Sequence, residues 1–343
     1  MKNQQKKNPK SNSQLVSQPN SVIVEFDNFG LAFSKGISVK IRNKENCVIN
    51  QKYKNKFFQQ LFKSIKEENL SIIEHQITNK MKNIEEYLLS NHFVKVVDTN
   101  FTNITRLVVG LGTEHVFETS LTLDYIWGIP YLPSSAVKGV CRAVAFWEIV
   151  SLKLSKETSS EKEKIEDLIK RIFQIFYNED ISFENNKPIE LDDIEKKILL
   201  YKLLFGTQNF EGLLTFLDVY PQNISEIVDI FELDIINSHY SEYYNNPETN
   251  PAGDWYNPQP VNFLTVRPGI KFRFTVFFDQ FRAEKLIKSL EIGSVYVELI
   301  ENLQKDNFKA LKEIVKNILK VSLTFHGIGT KTRLGYGLFV DTF

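Results

Sequence analysis

Apolar residues recur at helical spacing through much of the first hundred positions. Phe57, Phe58, Leu61, Phe62 and Ile65 share one face within residues 56–70, and Ile73, Ile77, Met81, Ile84 and Leu88 share one within 72–89. After a short β-like run at 22–26, this spacing predicts a mostly helical region over residues 21–103. Residues 1–20 are Asn, Gln, Lys and Ser with almost nothing to bury, the composition of a disordered tail. At Ile104 the pattern changes. Leu107–Leu111 and Val116–Leu123 read as extended runs around the Gly112–Thr113 break. Pro133 ends any preceding helix, and Ser134 or Ser135 can cap a new one. Residues 158–178, with Ser160 and Glu163 at capping-box spacing, and 190–205, closed by Gly206, predict further amphipathic helices. Residues 151–206 thus read as a helical insertion.

Leu213–Val219 is a strand stopped by Tyr220–Pro221. A second insertion follows over 222–262, whose part 237–262 is rich in Asn, Pro and Tyr and reads as a long ordered loop. Strands are predicted at 263–266 and 271–278. In the latter, Lys271, Arg273 and Thr275 alternate with Phe272, Phe274 and Val276. Asp306 or Asn307 caps a last helix carrying Phe308, Leu311, Val315 and Ile318, and a terminal strand covers 338–340. With the insertions set aside, residues 104–343 read β-α-β-β-α-β. The expected class is α+β with the ferredoxin-like fold that RNA-recognition domains also use.

Charge changes this picture. The 343 residues hold 42 Lys+Arg and 42 Asp+Glu, which excludes a uniformly basic protein that coats nucleic acid. The balance hides segregation, because windows 1–20, 133–147, 255–278 and 320–340 together carry twelve bases and no acid. The rest carries a net −12. Two cysteines, Cys47 and Cys141, form no disulfide framework and suit a reducing cytoplasm. The basic N-terminus lacks a signal peptide's apolar core, and no run approaches the ~20 apolar residues of a membrane span. A soluble cytoplasmic chain with no membrane partner is expected.

Two segments carry candidate chemistry. GIGTKTRLGYG, Gly327 to Gly337, places Thr330, Lys331 and Arg333 between glycine pairs. Glycines such as Gly327, Gly329 and Gly335 let backbone N–H groups approach phosphate oxygens while the bases supply charge. It is neither a Walker loop nor a dinucleotide fingerprint, and a glycine-rich turn with solvated bases fits the spacing equally well. The second is the helix start after Pro133. There Ser134 and Ser135 lie at the positive end of the dipole, and Lys138 and Arg142 share a face; an ordinary helix start reads the same way. Lys271 and Arg273 are weaker candidates. The five histidines form no HxxxH pair and no GxSxG elbow is present, so no metal, cofactor or catalytic residue is expected. His326, beside the glycine loop, is the one candidate acid or base for RNA cleavage.

In order along the chain, these segments resemble the RAMP superfamily of CRISPR-associated proteins, whose general signature is the C-terminal glycine-rich loop. More closely, residues 104–343 resemble the family of sixth RAMP subunits of type III-B (Cmr) effector complexes. The matching motifs are GLGT (110–113), ETSLTL (118–123), GIPYLPSSAVKGVCR (128–142), FLDVYP (216–221), HYSEYY (239–244) and DWYNPQPVNFL (254–264). One departure is Ser134, where the family's PGSS has glycine; a positive φ there would cost more for serine. The resemblance implies a non-catalytic subunit that caps the backbone filament and holds the 3′ region of the crRNA. Its partners would be crRNA, target RNA, a backbone RAMP subunit, a small helical subunit and a second terminal RAMP subunit. Two alternatives stand beside it: an endoribonuclease that processes precursor crRNA, and a purely protein-binding scaffold.

Overall fold

In a computed structural model, the chain is described at residues 28–36, 51–63, 67–115, 119–156, 162–181, 191–226, 229–238, 240–290 and 293–342. The tail, the 22–26 run, Ile65, Cys47 and the Ser160 cap lie outside the described residues.

Helices α1 (Phe29–Lys35), α2 (Gln51–Lys63) and α3 (Glu67–Ser90) lead the chain; the apolar spacing pointed to the second and third, not to α1. Strand β1 (Phe93–Asn103) follows, inside the segment expected to be helix-rich. Its alternation is concealed by a bulge between Lys95 and Val97, which buries Val96 and Val97 in succession. Helix α4 (Ser134–Lys156) begins where Pro133 predicted, and α5 (Lys162–Phe173) and α6 (Asp193–Phe205) make up the helical insertion. Asp192 and Glu195 close a capping box on α6, and Gly206 ends it at φ 87°.

Strand β2 (Leu214–Phe216) pairs with the later β5 (Lys271–Asp279). Between them, the expected loop is instead an arm built on a hairpin. In it β3 (Phe231–Ser238) pairs antiparallel with β4 (Gln259–Val266), and the short helix α7 (Ser241–Asn245) lies in the connection. Helices α8 (Gln280–Ser289) and α9 (Val295–Val321) and strand β6 (Phe339–Asp341) complete the chain. Helix α9 is interrupted at Lys305–Phe308, where Asp306 and Asn307 take positive φ, the break at which the sequence placed a helix start.

The main sheet has the order β2-β5-β1-β6, with every neighbouring pair antiparallel. Its two faces are covered differently. Phe278 meets Phe308 of α9, and Phe272 and Phe274 pack edge-on against Phe339. On the opposite face Arg273 reaches Glu85 of α3. The runs at 107–111 and 119–123, expected as strands, form only isolated bridges, from Leu107 to Val266 and from Leu123 to Pro130.

Helix α3 is held to the sheet by charge as well as by buried Ile77, which faces Thr275 of β5. Arg273 donates to Glu85 Oε1 at 2.7 Å and to Asp98 Oδ1 at 2.7 Å, while Lys95 bonds Asp98 at 2.7 Å and Glu85 at 3.1 Å. Burial alone would raise the Asp98 pKa, but hydrogen bonds from Arg273 and Lys95 outweigh it and hold the carboxyl below its ordinary value. A depressed folded-state pKa contributes stability above the unfolded value near ~3.9 that is lost as pH falls through the folded one. Asp98→Asn should therefore flatten the acid limb of the stability–pH curve. Glu85→Ala should cost about 2 kcal/mol, since the Glu85 side chain is only 10% exposed. Glu86→Ala, which removes an exposed pair with Lys82 at 3.7 Å, should cost under about 0.5 kcal/mol by urea denaturation.

Candidate nucleic-acid interface

The sequence motifs converge through backbone hydrogen bonds. The segment 106–111 lies between the glycine loop and residues 120–122, and its carbonyls alternate between them. Arg106 and Val108 accept from Gly337 N (2.8 Å) and Thr330 N (2.8 Å), while Val109 and Leu111 accept from Thr122 N (2.7 Å) and Ser120 N (3.3 Å). GLGT, ETSLTL and the glycine loop are therefore one ribbon.

Within the loop, the glycines do more to close the chain on itself than to present free amides. Ile328 N donates to the Gly337 carbonyl at 2.9 Å, and Leu334, Gly335 and Tyr336 donate to Lys331 or Thr332. Gly329 (φ 100°) and Gly337 (φ 70°) are pressed against the carbonyls of Val108 and Ile328, where a Cβ would clash. Gly335 (φ 88°) faces open space. Thr330 spends its N–H and its hydroxyl on the Val108 carbonyl, at 2.8 and 3.2 Å. Tyr336 bonds Asp234 of β3, which also pairs with Arg106 at 3.2 Å.

Lys331 takes a left-handed backbone (φ 60°) and lays its ammonium 5.3 Å from the Phe263 ring centre. Arg333 is exposed. A π-helical turn, Ser322–His326, continues α9 and delivers exposed His326 to the loop.

The glycine loop and the start of α4 share a groove of about 470 Å³, whose walls include Gly110, Ala136, Gly139, His326, Gly329 and Thr330. Small residues on both sides keep the groove wide, although the loop amides named above are already bonded within the chain. The sequence reading singled out the loop side; Gly110 was legible through GLGT, while Ala136 and Gly139 carried no chemical signal of their own.

The α4 side differs from expectation in two respects. Ser134 N donates to Asp218 Oδ1 at 2.8 Å, so the FLDVYP carboxylate already occupies the helix start where a phosphate was expected. Ser134 opens α4 and is not among the residues with positive φ, so the missing glycine carries no backbone penalty. Ser135 is exposed. Lys138 and Arg142, a turn apart, are not among the groove-lining residues, which on α4 are Ala136, Gly139 and Val140. Burial lowers the Lys138 pKa, and Arg142 and Arg282 add to the effect against Glu211. The Arg142 guanidinium stacks 4.6 Å from Tyr177, and its Nε is buried with no hydrogen-bond partner. Arg273 is bound to Glu85 and Asp98, which draws its charge into the fold; Lys271 is exposed.

Another cavity, of about 290 Å³ beneath α3, is lined by Glu74, Glu85 and Asp218 against Lys82 and Arg273, and Arg273 is already held by Glu85. Among the described residues no group of three or more His, Cys, Asp or Glu is placed to hold a metal ion, and no helix is long and apolar enough to cross a membrane.

Comparison with known proteins agrees with this arrangement of motifs. A family model described as the RAMP superfamily matches residues 100–340. The chain is 31% identical over 283 residues to the CRISPR system Cmr subunit Cmr6 of Pyrococcus furiosus, covering 76% of this chain and 72% of that protein. It is 21% identical to the CRISPR system CMR subunit Cmr6 of Saccharolobus solfataricus, with 78% and 80% covered. Among solved structures, a chain of the type III-B Cmr-beta complex bound to cognate target RNA aligns at 20% identity and a TM-score of 0.45, covering 86% of this chain and 78% of that one. The family match spans the glycine loop and the motifs bonded to it, and the chain belongs to the RAMP superfamily.

Proposed function

We propose that this chain is a non-catalytic crRNA-binding subunit of a cytoplasmic type III-B ribonucleoprotein, capping the filament over the 3′ region of the crRNA. The observation that carries this is the shared groove walled by Gly110, Ala136, Gly139, Gly329 and Thr330, with the exposed Arg333 and half-buried Lys331 on the same loop though not among its lining residues. Such a surface suits a sugar-phosphate backbone whose sequence is read elsewhere, by base pairing with target RNA. The relationship to the Pyrococcus subunit supports membership in the same kind of complex. A backbone RAMP subunit, a small helical subunit and a second terminal RAMP subunit are its proposed neighbours. The strand order β2-β5-β1-β6, with α4 after β1 and α8–α9 after β5, supports reading the domain as ferredoxin-like with two insertions.

Within this reading the RNA contacts are Lys331, Arg333 and Gly335 together with the groove-lining Gly327, Gly329 and Thr330. Ser135, Lys138 and Arg142 serve a path continuing along α4, on the side away from the groove. The test is the crRNA content of the complex assembled with the Lys331→Ala/Arg333→Ala chain; retention equal to wild type sinks the assignment.

One observation favours a second reading. His326 stands exposed where the groove meets a neighbouring cavity lined by Trp147, Glu148 and Asn317. An endoribonuclease would need such a group. The non-catalytic reading expects the purified chain to leave precursor crRNA intact, with His326→Ala indistinguishable from wild type. Cutting that disappears in His326→Ala would establish the enzyme.

A further inference from the structure

The basic windows have a counterpart. From residue 203 to residue 266 the chain contains no Lys or Arg and nine Asp or Glu. The structure gathers this stretch into the turn after α6, strand β2 and the hairpin arm β3–β4. Several of the nine carboxylates are spent internally. Asp218 caps α4, Glu211 pairs with Arg282 at 3.3 Å, and Glu232 and Asp234 hold Arg106.

The end of the arm, residues 240–258, is different. Among the described residues no Lys or Arg stands within ion-pair distance of Glu242, Glu248 or Asp254. Of the aromatic side chains beside them, Tyr244 and Trp255 face solvent, at 69% and 70% exposure. The segment is nonetheless built. Tyr240 donates to Asp254 Oδ1 at 2.9 Å, Asn250 Nδ2 donates to the Glu242 carbonyl at 3.2 Å, and the Trp255 ring lies against Gly253, leaving no room there for a Cβ.

We propose that this tip is a protein-docking surface for a basic, Lys/Arg-bearing face of a neighbouring subunit. The physical reason is the combination of charge and exposed aromatic area. Three carboxylates with no Lys or Arg at ion-pair distance among the described residues repel an RNA backbone, whose binding depends on cations that displace its counterions. Exposed Trp and Tyr anchors ringed by charge of one sign are the composition of an interface centre and rim. The chain thus divides its labour: RNA at the glycine loop and a protein neighbour at the arm. The inference rests on the reading of the chain as a subunit of a larger complex.

The test uses the full chain in reconstituted complex. One variant reverses charge at the tip (Glu242→Lys/Glu248→Lys/Asp254→Lys), and a second removes the anchors while keeping the charge (Tyr244→Ser/Trp255→Ser). Both alter exposed positions, and circular dichroism of each purified chain checks that the fold is retained. Incorporation of each variant into the complex at 0.15 M salt should fall at least tenfold, and ultraviolet crosslinking should join Tyr244 or Trp255 to protein. Incorporation equal to wild type for both variants overturns this inference alone, as do RNA crosslinks at the tip. A wild-type chain that enters no such complex overturns the subunit reading and this inference with it.

Discussion

Gly329→Ala should destabilise the protein by about 3 kcal/mol, while Gly335→Ala, six residues on, should cost about 1 kcal/mol. Both glycines have positive φ, at 100° and 88°, so both substitutions carry the backbone penalty of an L-residue in that region. Only at Gly329 does the new methyl also meet main chain, the Val108 carbonyl that accepts from Thr330 N at 2.8 Å. A carbonyl oxygen fixed in a hydrogen bond cannot move aside as a flexible side chain can. Relief requires breaking the Thr330–Val108 bond and lifting the loop off the 106–111 segment. Gly337→Ala, aimed at the Ile328 carbonyl, should behave like Gly329→Ala. Denaturant unfolding of the three variants separates the effects. Equal losses at Gly329 and Gly335 would mean that the close approach contributes nothing.

The second large effect is electrostatic. Lys331→Ala/Arg333→Ala should weaken crRNA holding about 10–100-fold at low salt and leave the fold intact, because Arg333 is exposed and Lys331 is partly so. Alanine at residue 331 keeps nearly the same left-handed backbone cost as lysine, so the change reports the lost charge. Two phosphate contacts to single-stranded RNA correspond to a log–log salt slope shallower by about 1.4. The measurement is release of crRNA from the complex as salt is raised. A slope identical to wild type would show that neither cation touches phosphate, whatever happens to affinity.

Much of this protein was readable from its residues, and the failures have identifiable causes. Helices α2, α3, α4 and α6 follow apolar spacing and capping residues, which are local. Strand β1 was hidden because its bulge breaks the period of two. Strand β3 was hidden because Phe231, Leu233 and Ile235 alternate within a segment whose downstream Asn, Pro and Tyr content suggested a loop. The extended runs at 107–111 and 119–123 have strand-like composition, but their carbonyls are used by the glycine loop and by each other instead of by a regular ladder.

The candidate site divides in the same way. Gly327, Gly329, Lys331 and Arg333 stood out as a glycine-rich basic loop, and the order of motifs along residues 104–343 pointed to the family that the comparison then matched. Whether Lys138 and Arg142 belong with that loop depends on the rotation of α4 about its axis, which packing sets. The same rotation brings Ala136 and Gly139 into the groove. Asp218 lies 84 residues from the Ser134 amide that it caps, a pairing that no local pattern encodes. Helix starts, turns and segregated charge are properties of neighbours along the chain, so the sequence alone determined them. Which cations remain available, which amides are already bonded, and which carboxylates lack a cation among the described residues depend on partners far apart in sequence, and only the tertiary structure decided them.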